Sequence, residues 1–304
     1  MPDAAASVTP RIDVIVVCWN DRDKITVALD SVFALSEVRH DRLFANVVVS
    51  DNGSTDGSRD FLRARYGDRI TIVENGANLG FAAACNRAFA ATSAPYVFLL
   101  NPDAELKDYA LASIVAFMDA NPRCGIAGSR IYNLDGTVQQ SCGEFDTWIG
   151  AFLRSSAWGE WPAFRRFANG AALADFHYDR ARKIDLAIGA ALAIRRSLFD
   201  AIGTFDERFF LYHEEVDFAK RAAAAGWETW FVPASEAVHE GMGSAKGQYN
   251  VERRKQTSRR KYWIKHHGVL WYATLVTALA GRYALYLGAV AIALIAGRRT
   301  FRRP

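Results

Sequence analysis

Cysteine is scarce in this chain, and the little there is excludes several chemistries. Cys18, Cys85, Cys124 and Cys142 are scattered without the paired spacing of a metal site or a disulfide framework. Cys18 and Cys85 lie in apolar stretches and read as small core residues. Met1 to Arg11 has no apolar signal-peptide core, which points to a reducing cytosol. A glycine-rich turn is missing after the first apolar strand: Val14 to Cys18 runs straight into Trp19-Asn20-Asp21-Arg22. A dinucleotide-dependent oxidoreductase of doubly wound fold needs that turn to seat its pyrophosphate, so this class is set aside.

Charge of one sign is missing from most of the C-terminal end. From Glu252 onward there are 12 Lys and Arg against one acid, whereas the preceding 251 residues carry 25 bases against 32 acids. The organisation expected is therefore an acidic globular domain over 1–251 and a basic tail over 252–304. The tail is also the most apolar part. Val269 to Ala296 holds no charge except Arg282 and is flanked by Arg259-Arg260-Lys261 and by Arg298-Arg299 and Arg302-Arg303. Basic flanks around an apolar stretch suit an anionic membrane surface better than nucleic acid. Split at Arg282, the stretch gives 13 and 14 residues, each short of the roughly 20 needed to span a bilayer. Two interfacial or re-entrant helices on the cytoplasmic side of the membrane are the expectation.

What is present is a set of short apolar runs that end abruptly in polar residues. Pro95 to Leu100 ends in Asn101-Pro102-Asp103, Val14 to Cys18 in Trp19-Asn20-Asp21, and Val47 to Ser50 in Asp51-Asn52-Gly53-Ser54-Thr55-Asp56-Gly57-Ser58. A fourth run, Ile70 to Glu74, leads into Asn75 to Gly80 and a helical stretch. Strands alternating with helices at this spacing predict an α/β fold, a Rossmann-like, mostly parallel sheet flanked by helices. Ligands of such sheets bind outside the carboxyl ends of the strands, where these polar clusters fall. Asp56 also reads as the cap of the helix that follows it.

Farther along, Phe209-Phe210-Leu211-Tyr212-His213-Glu214-Glu215-Val216-Asp217 leads into a helix ended by Gly226. Acids in a first helical turn are favoured by the helix dipole, and Asp217 and Arg221 have the spacing of a helix-surface pair. Gly189-Ala190-Ala191 offers small residues that let backbone approach a ligand, or simply pack. Arg195-Arg196 could face phosphate or solvent. Trp148, Trp158 and Trp161 fall in the irregular segment 143–179, read as an insertion.

In this order, Asp51 to Ser58, Asn78-Leu79-Gly80-Phe81-Ala82 and Asn101-Pro102-Asp103 make the chain similar to the inverting family 2 glycosyltransferases of GT-A fold. Its nearest likeness is the bacterial rhamnosyltransferase branch that builds cell-wall and surface polysaccharides, and the resemblance covers roughly residues 12–245. It implies that Trp19, Asn20, Asp51, Asn52 and Gly53 hold the nucleotide, with Asp51 accepting from the pyrimidine ring N–H. Asn78, Gly80, Asn101, Gly189 and Ala190 complete the nucleotide-sugar site. Asp103 matches the second acid of the family's metal motif, with Asn101 in place of the first, and His239 matches a histidine of the metal site. The implied cofactor is Mg²⁺ or Mn²⁺. Glu215 stands where the family has an aspartate as general base, a departure that adds one methylene, and Glu214 is the fallback. The implied donor is dTDP-L-rhamnose, with a UDP-hexose as the alternative, and the implied acceptor a polyprenyl-diphosphate-linked or polysaccharide glycan. No second nucleophile is needed for inversion, and none stands out. A non-catalytic sugar-nucleotide-binding module is the rival class. With the tail, the resemblance places the enzyme at the cytoplasmic face of the inner membrane.

Overall fold

The computed structural model describes residues 11–39, 45–155, 161, 176–241 and 248–295. In chain order its strands and helices are β1 (Ile12–Cys18), α1 (Arg22–Ala34), the short α2 (Ser36–Arg39), β2 (Ala45–Asp51), α3 (Ser58–Tyr66), β3 (Ile70–Glu74) and α4 (Phe81–Phe89). There follow β4 (Tyr96–Leu100), β5 (Ala104–Leu106), α5 (Ala110–Ala120), β6 (Cys124–Tyr132), β7 (Cys142–Gly143), α6 (Trp148–Ser155), β8 (Arg182–Ile184) and β9 (Leu186–Ala187). The chain closes with β10 (Ala191–Arg195), α7 (Arg196–Ile202), α8 (Glu214–Ala224), β11 (Glu228–His239), α9 (Gln248–His267) and α10 (Val269–Ile295). Two compact units result, one of residues 1–143 with 174–258, the other of 144–173 with 259–304. The boundary expected at 251/252 falls inside α9.

In the first unit the main sheet has the order β3-β2-β1-β4-β10-β6-β11-β5, with β8 also paired to β11. β1 to β4, β6 and β11 run one way, while β10, β5 and β8 run against them. The sheet is thus mostly parallel, with one inverted strand, β10, at its centre. Continuous apolar runs explain the burial on both faces: every residue of β4 is buried, and in β1 only Val17 is less than fully covered. α1 packs Ile25, Leu29 and Val32 into the core, and α5 adds Leu111, Ile114 and Met118. Cys18 and Cys85 lie in the core as expected, and all four cysteines are free.

Three local expectations change. The run Thr229 to Val232, a short strand by its sequence, does not stop there. It continues to His239 with a register irregularity between Val232 and Glu236, and its outer part pairs with β5. Pro233 cannot donate to a ladder, and the irregularity absorbs it. Arg195 and Arg196 face neither phosphate nor bulk solvent. Arg195 donates to the carbonyls of Cys124, Met118 and Asn121 and to the Tyr96 hydroxyl; Arg196 donates to the Ala94 carbonyl and to Thr92 Oγ1. Asp217 is fully buried rather than on a helix surface, 2.9 Å from Arg221 Nε, and Arg221 also donates to the carbonyls of Ile202 and Thr204.

In the second unit α6 sets Trp148 against Phe152, with ring centroids 5.0 Å apart, and edge-on to Trp271 of α10 at 4.8 Å. The Trp148 indole N–H donates to Thr274 Oγ1 at 3.2 Å. Trp161 is 64% exposed; Trp158 lies outside the described residues, as do residues 296–304 with their arginine cluster. The apolar stretch is one helix of 27 residues, not two, about 40 Å long at 1.5 Å per residue. Arg282 does not break it because arginine is a good helix former and no proline intervenes. Among the described residues no helix is long and apolar enough to cross a membrane.

Candidate functional site

The carboxyl ends of β1, β2, β3 and β4 converge because the parallel register brings them level: Cys18 stands opposite Asp51, and Asp51 opposite Glu74. Asp51 closes β2 with 1% exposure. Its carboxylate accepts the Ser54 N–H at 3.3 Å and lies 3.8 Å from Arg59 Nε. Asn20, in the left-handed region at φ 53°, accepts the Thr55 N–H on its side chain at 2.7 Å, while its own N–H goes to Ser54 Oγ at 3.0 Å. These bonds fasten the β1 and β2 loops to each other, and Trp19 stands beside them 49% exposed, free to wall a base pocket.

Asn52 is the knot between the loops after β2 and β3. Its amide nitrogen donates to Asn78 Oδ1 at 3.0 Å and to the Gly80 carbonyl at 3.3 Å. Its oxygen accepts the Leu79 N–H at 3.0 Å and the Asn75 amide at 3.3 Å. Both ends of the side chain are thereby engaged, so Asn52 and Asn78 act here by holding the loop. Gly53 is forced on the same contact: at φ 77° a Cβ would meet the Ala77 backbone at 2.7 Å.

Asn101 and Asp103 follow β4. The Asn101 N–H donates to the Ala190 carbonyl at 2.9 Å, tying this strand end to the Gly189-Ala190 turn. Pairing of β11 with β5 sets His239 opposite Ala104. His239 Nε2 then lies 3.3 Å from Asp103 Oδ1 and 3.3 Å from the Asn101 amide nitrogen. Its Nδ1 is 3.0 Å from Gln139 Oε1. With Nδ1–H donated to Gln139, a protonated ring donates Nε2–H to Asp103, whereas the neutral ring offers its Nε2 lone pair to the Asn101 amide or to a metal. Burial pushes the Asp103 carboxyl up, but the His239 hydrogen bond and charge outweigh it, and the group sits below its usual range. Asp21, one residue beyond Asn20, is displaced the other way. Its burial raises it, Lys24 opposes, and Asp103, Asp56 and Glu240 add to the rise. Lys24 is 2.9 Å from Glu240. Asp21, Lys24, Gln139 and Glu240 are site neighbours that the motifs alone do not single out. The signal for Asp21 was its place in a polar strand end; Gln139 and Glu240 become visible only with the last strand extended.

The glutamates are reached by a corner that sequence patterning leaves blank. Tyr212 and His213, at φ 68° and 69°, both occupy the left-handed region just before α8. The Phe210 carbonyl accepts the Phe81 N–H at 2.7 Å, and it crosses so near Gly80 that a Cβ there would come within 2.3 Å of that oxygen. On the other side Ser258 Oγ donates to the Leu211 carbonyl at 2.8 Å. Glu214 and Glu215 emerge from this corner. Each has an enclosed Oε2 without a hydrogen-bond partner. Burial holds both carboxyls above their usual range, and the Glu215 charge raises Glu214 further. Two backbone hydrogen bonds brace the site: Asn101 N–H to the Ala190 carbonyl beside the β4 end, and Phe81 N–H to the Phe210 carbonyl beside the glutamate corner.

Asp103, His239 and Asn101 offer oxygen and imidazole donors suited to Mg²⁺ or Mn²⁺. No group of three or more His, Cys, Asp or Glu poised for a metal occurs among the described residues. Two protein ligands with the remaining positions filled by substrate phosphate is an ordinary Mg²⁺ arrangement, so the donor set fits.

Comparison with known proteins gives the frame. Residues 13–203 match the model of glycosyl transferase family 2. Over 257 residues the chain is 30% identical to the N-acetylglucosaminyl-diphospho-decaprenol L-rhamnosyltransferase of Mycobacterium tuberculosis, spanning 79% of this chain and 81% of that protein. It is 23% identical over 259 residues to the O-antigen biosynthesis protein RfbC of Myxococcus xanthus, spanning 85% of this chain and 19% of that one. Among solved structures, the mannosyltransferase PcManGT of Pyrobaculum calidifontis, in complex with GDP-Man and Mn²⁺, superposes with a TM-score of 0.57 at 20% identity, covering 95% of this chain and 81% of that one. S. aureus TarS gives 0.54 at 14% identity, covering 90% and 43%. These likenesses establish the GT-A fold.

Proposed function

The chain belongs to glycosyl transferase family 2, and from that premise we propose that it transfers L-rhamnose from dTDP-L-rhamnose, with inversion, to a polyprenyl-diphosphate-linked sugar. The observation that carries the reading is the meeting of Asp103 and His239, 3.3 Å apart at the carboxyl end of β4. Asp51, at the end of β2 one strand beyond β1, accepts the ring N–H that pyrimidine bases such as thymine and uracil present. Trp19 walls the base. Asp103 and His239 would hold a divalent cation, which would supply Lewis-acid neutralisation of the leaving diphosphate. Glu215 takes the proton from the acceptor hydroxyl as that oxygen attacks the face opposite the leaving group; its raised pKa makes it a stronger base than an exposed carboxylate. The hydrogen bond from Phe81 N–H to the Phe210 carbonyl fixes the glutamate corner against the loop that ends at Gly80, and orientation of this kind supplies much of the rate.

A panel of dTDP-, UDP- and GDP-sugars, each with Mg²⁺ or Mn²⁺, tests this by protection against thermal unfolding. A true donor at 100 times its dissociation constant adds about 2.7 kcal/mol. Asp103→Ala should abolish the metal-dependent part while leaving the melting temperature of the unliganded protein unchanged. Metal dependence that survives this substitution removes Asp103 from the site, and protection by a UDP-hexose alone replaces the donor.

The α10 helix exposes Val269, Leu270, Trp271, Leu279, Tyr283 and Leu285. With its basic neighbours it is suited to lie in an anionic membrane surface near a lipid-linked acceptor. Flotation with anionic liposomes checks this: a chain lacking 269–304 should stay at the bottom of the gradient, and unimpaired flotation would rule the helix out.

A further inference from the structure

The glutamate corner has neighbours of opposite charge that never neutralise it. Arg253, Arg254 and Lys255 stand exposed in the first turns of α9. The Arg254 guanidinium lies 4.5 Å from the centroid of the Phe210 ring, and the Lys255 ammonium 5.0 Å from that of Tyr212. Both rings belong to the corner itself, two to five residues before Glu214 and Glu215. α9 is fixed there by Ser258, 3% exposed, whose hydroxyl holds the Leu211 carbonyl. The cations are thus seated on aromatic faces rather than on carboxylates. Among the described residues neither makes an ion pair, and the glutamate Oε2 atoms stay without partners.

This placement selects a ligand chemistry. A cation on a ring face keeps its N–H donors available to an anion, and the ring fixes its position. Two adjacent cations, one of them a forked guanidinium, match a diphosphate better than a single carboxylate. Glu215 faces the acceptor hydroxyl in the transfer reading, so an anion held on the same corner belongs on the same molecule. We propose that Arg254 and Lys255 bind the diphosphate of the acceptor, a sugar joined through diphosphate to an apolar chain, and so present its hydroxyl to Glu215. The proposal rests on the glycosyl-transfer reading above and names its acceptor subsite.

The test compares two acceptors with the full-length protein, farnesyl diphospho-N-acetylglucosamine and the uncharged farnesyl N-acetylglucosaminide. Arg254→Ala and Lys255→Ala should each raise KM for the first by about tenfold, the scale of one charge-assisted contact. KM for the second and the donor dissociation constant should not move. The charge-preserving pair Arg254→Lys with Lys255→Arg should keep most of the affinity. A second arm needs no turnover: farnesyl diphosphate should bind wild-type protein and lose about tenfold or more in the alanine variants. Equal losses on both acceptors, or none, overturn the proposal. So does binding of anionic phospholipid vesicles that falls with these substitutions while farnesyl diphosphate binding holds. If no nucleotide sugar binds or turns over, the transfer reading fails, and the farnesyl diphosphate arm still decides whether the cation pair is a diphosphate site.

Discussion

The two ends of the main sheet treat their polar groups oppositely. At the amino end of β1 the fully buried Asp13 accepts the N–H groups of Ser93 and Ala94, both at 2.7 Å, and the Asn46 amide at 3.0 Å. Arg196 stands 3.7 Å away, and Arg195 spends its guanidinium on carbonyls nearby. At the carboxyl end Glu214 and Glu215 keep unpartnered oxygens, and Asp21 and Asp103 are pushed in opposite directions from their usual range. Satisfied charge holds a fold together; charge left short of partners and split in proton affinity is available for chemistry.

Removing charge at each end should therefore give different phenotypes. The largest effect belongs to Glu215→Gln, which should lower the transfer rate by about 10²-fold or more, with donor affinity and melting temperature nearly unchanged. If steady-state turnover survives there and collapses in Glu214→Gln, the base is Glu214. Next comes Asp13→Ala, which orphans two backbone N–H groups and one face of Arg196. Urea unfolding should show a loss of about 3 kcal/mol, while the molecules still folded keep wild-type KM for the donor. Activity lost without stability would erase the contrast between the two ends. The smallest effect concerns pH. Because Glu214 binds its proton more tightly folded than unfolded, stability falls as pH rises from about 4.5 toward its elevated folded value. Glu214→Gln removes that term, so the gap in melting temperature between pH 5 and pH 8 should narrow by a few degrees. A widened gap would reverse the sign and the argument.

Most of this architecture could be read from residue patterns, for identifiable reasons. Short apolar strands buried on both faces announce themselves, and polar residues at their ends fall on one edge once the strands are parallel. What escaped reading depended on contacts distant in sequence. Arg195 and Arg196 look the same in a sequence whether they meet phosphate, water or carbonyls. Pro233 masks the continuation of a strand, and with it the register that delivers His239 to Asp103. Arg282 interrupts hydrophobicity but not helical propensity, so a composition-based split misreads one helix as two. The crossing of Gly80 by the Phe210 carbonyl joins residues 130 positions apart, and no local pattern encodes it.

The left-handed pair Tyr212-His213 also bears on how such a protein would respond to selection. Each non-glycine residue there costs on the order of 1–2 kcal/mol in backbone energy, and glycine would relieve it. A search for thermostable variants would find these two positions early, because the gain is local and disturbs no core packing. The winners would be sturdier and poorer: with glycine the turn explores many shapes, the Tyr212 ring is lost, and the Phe210 ring and the two carboxylates lose their fixed bearing. The corner is therefore a place where robustness and function are traded directly, and a laboratory lineage evolved for heat alone should drift toward glycine there and go silent.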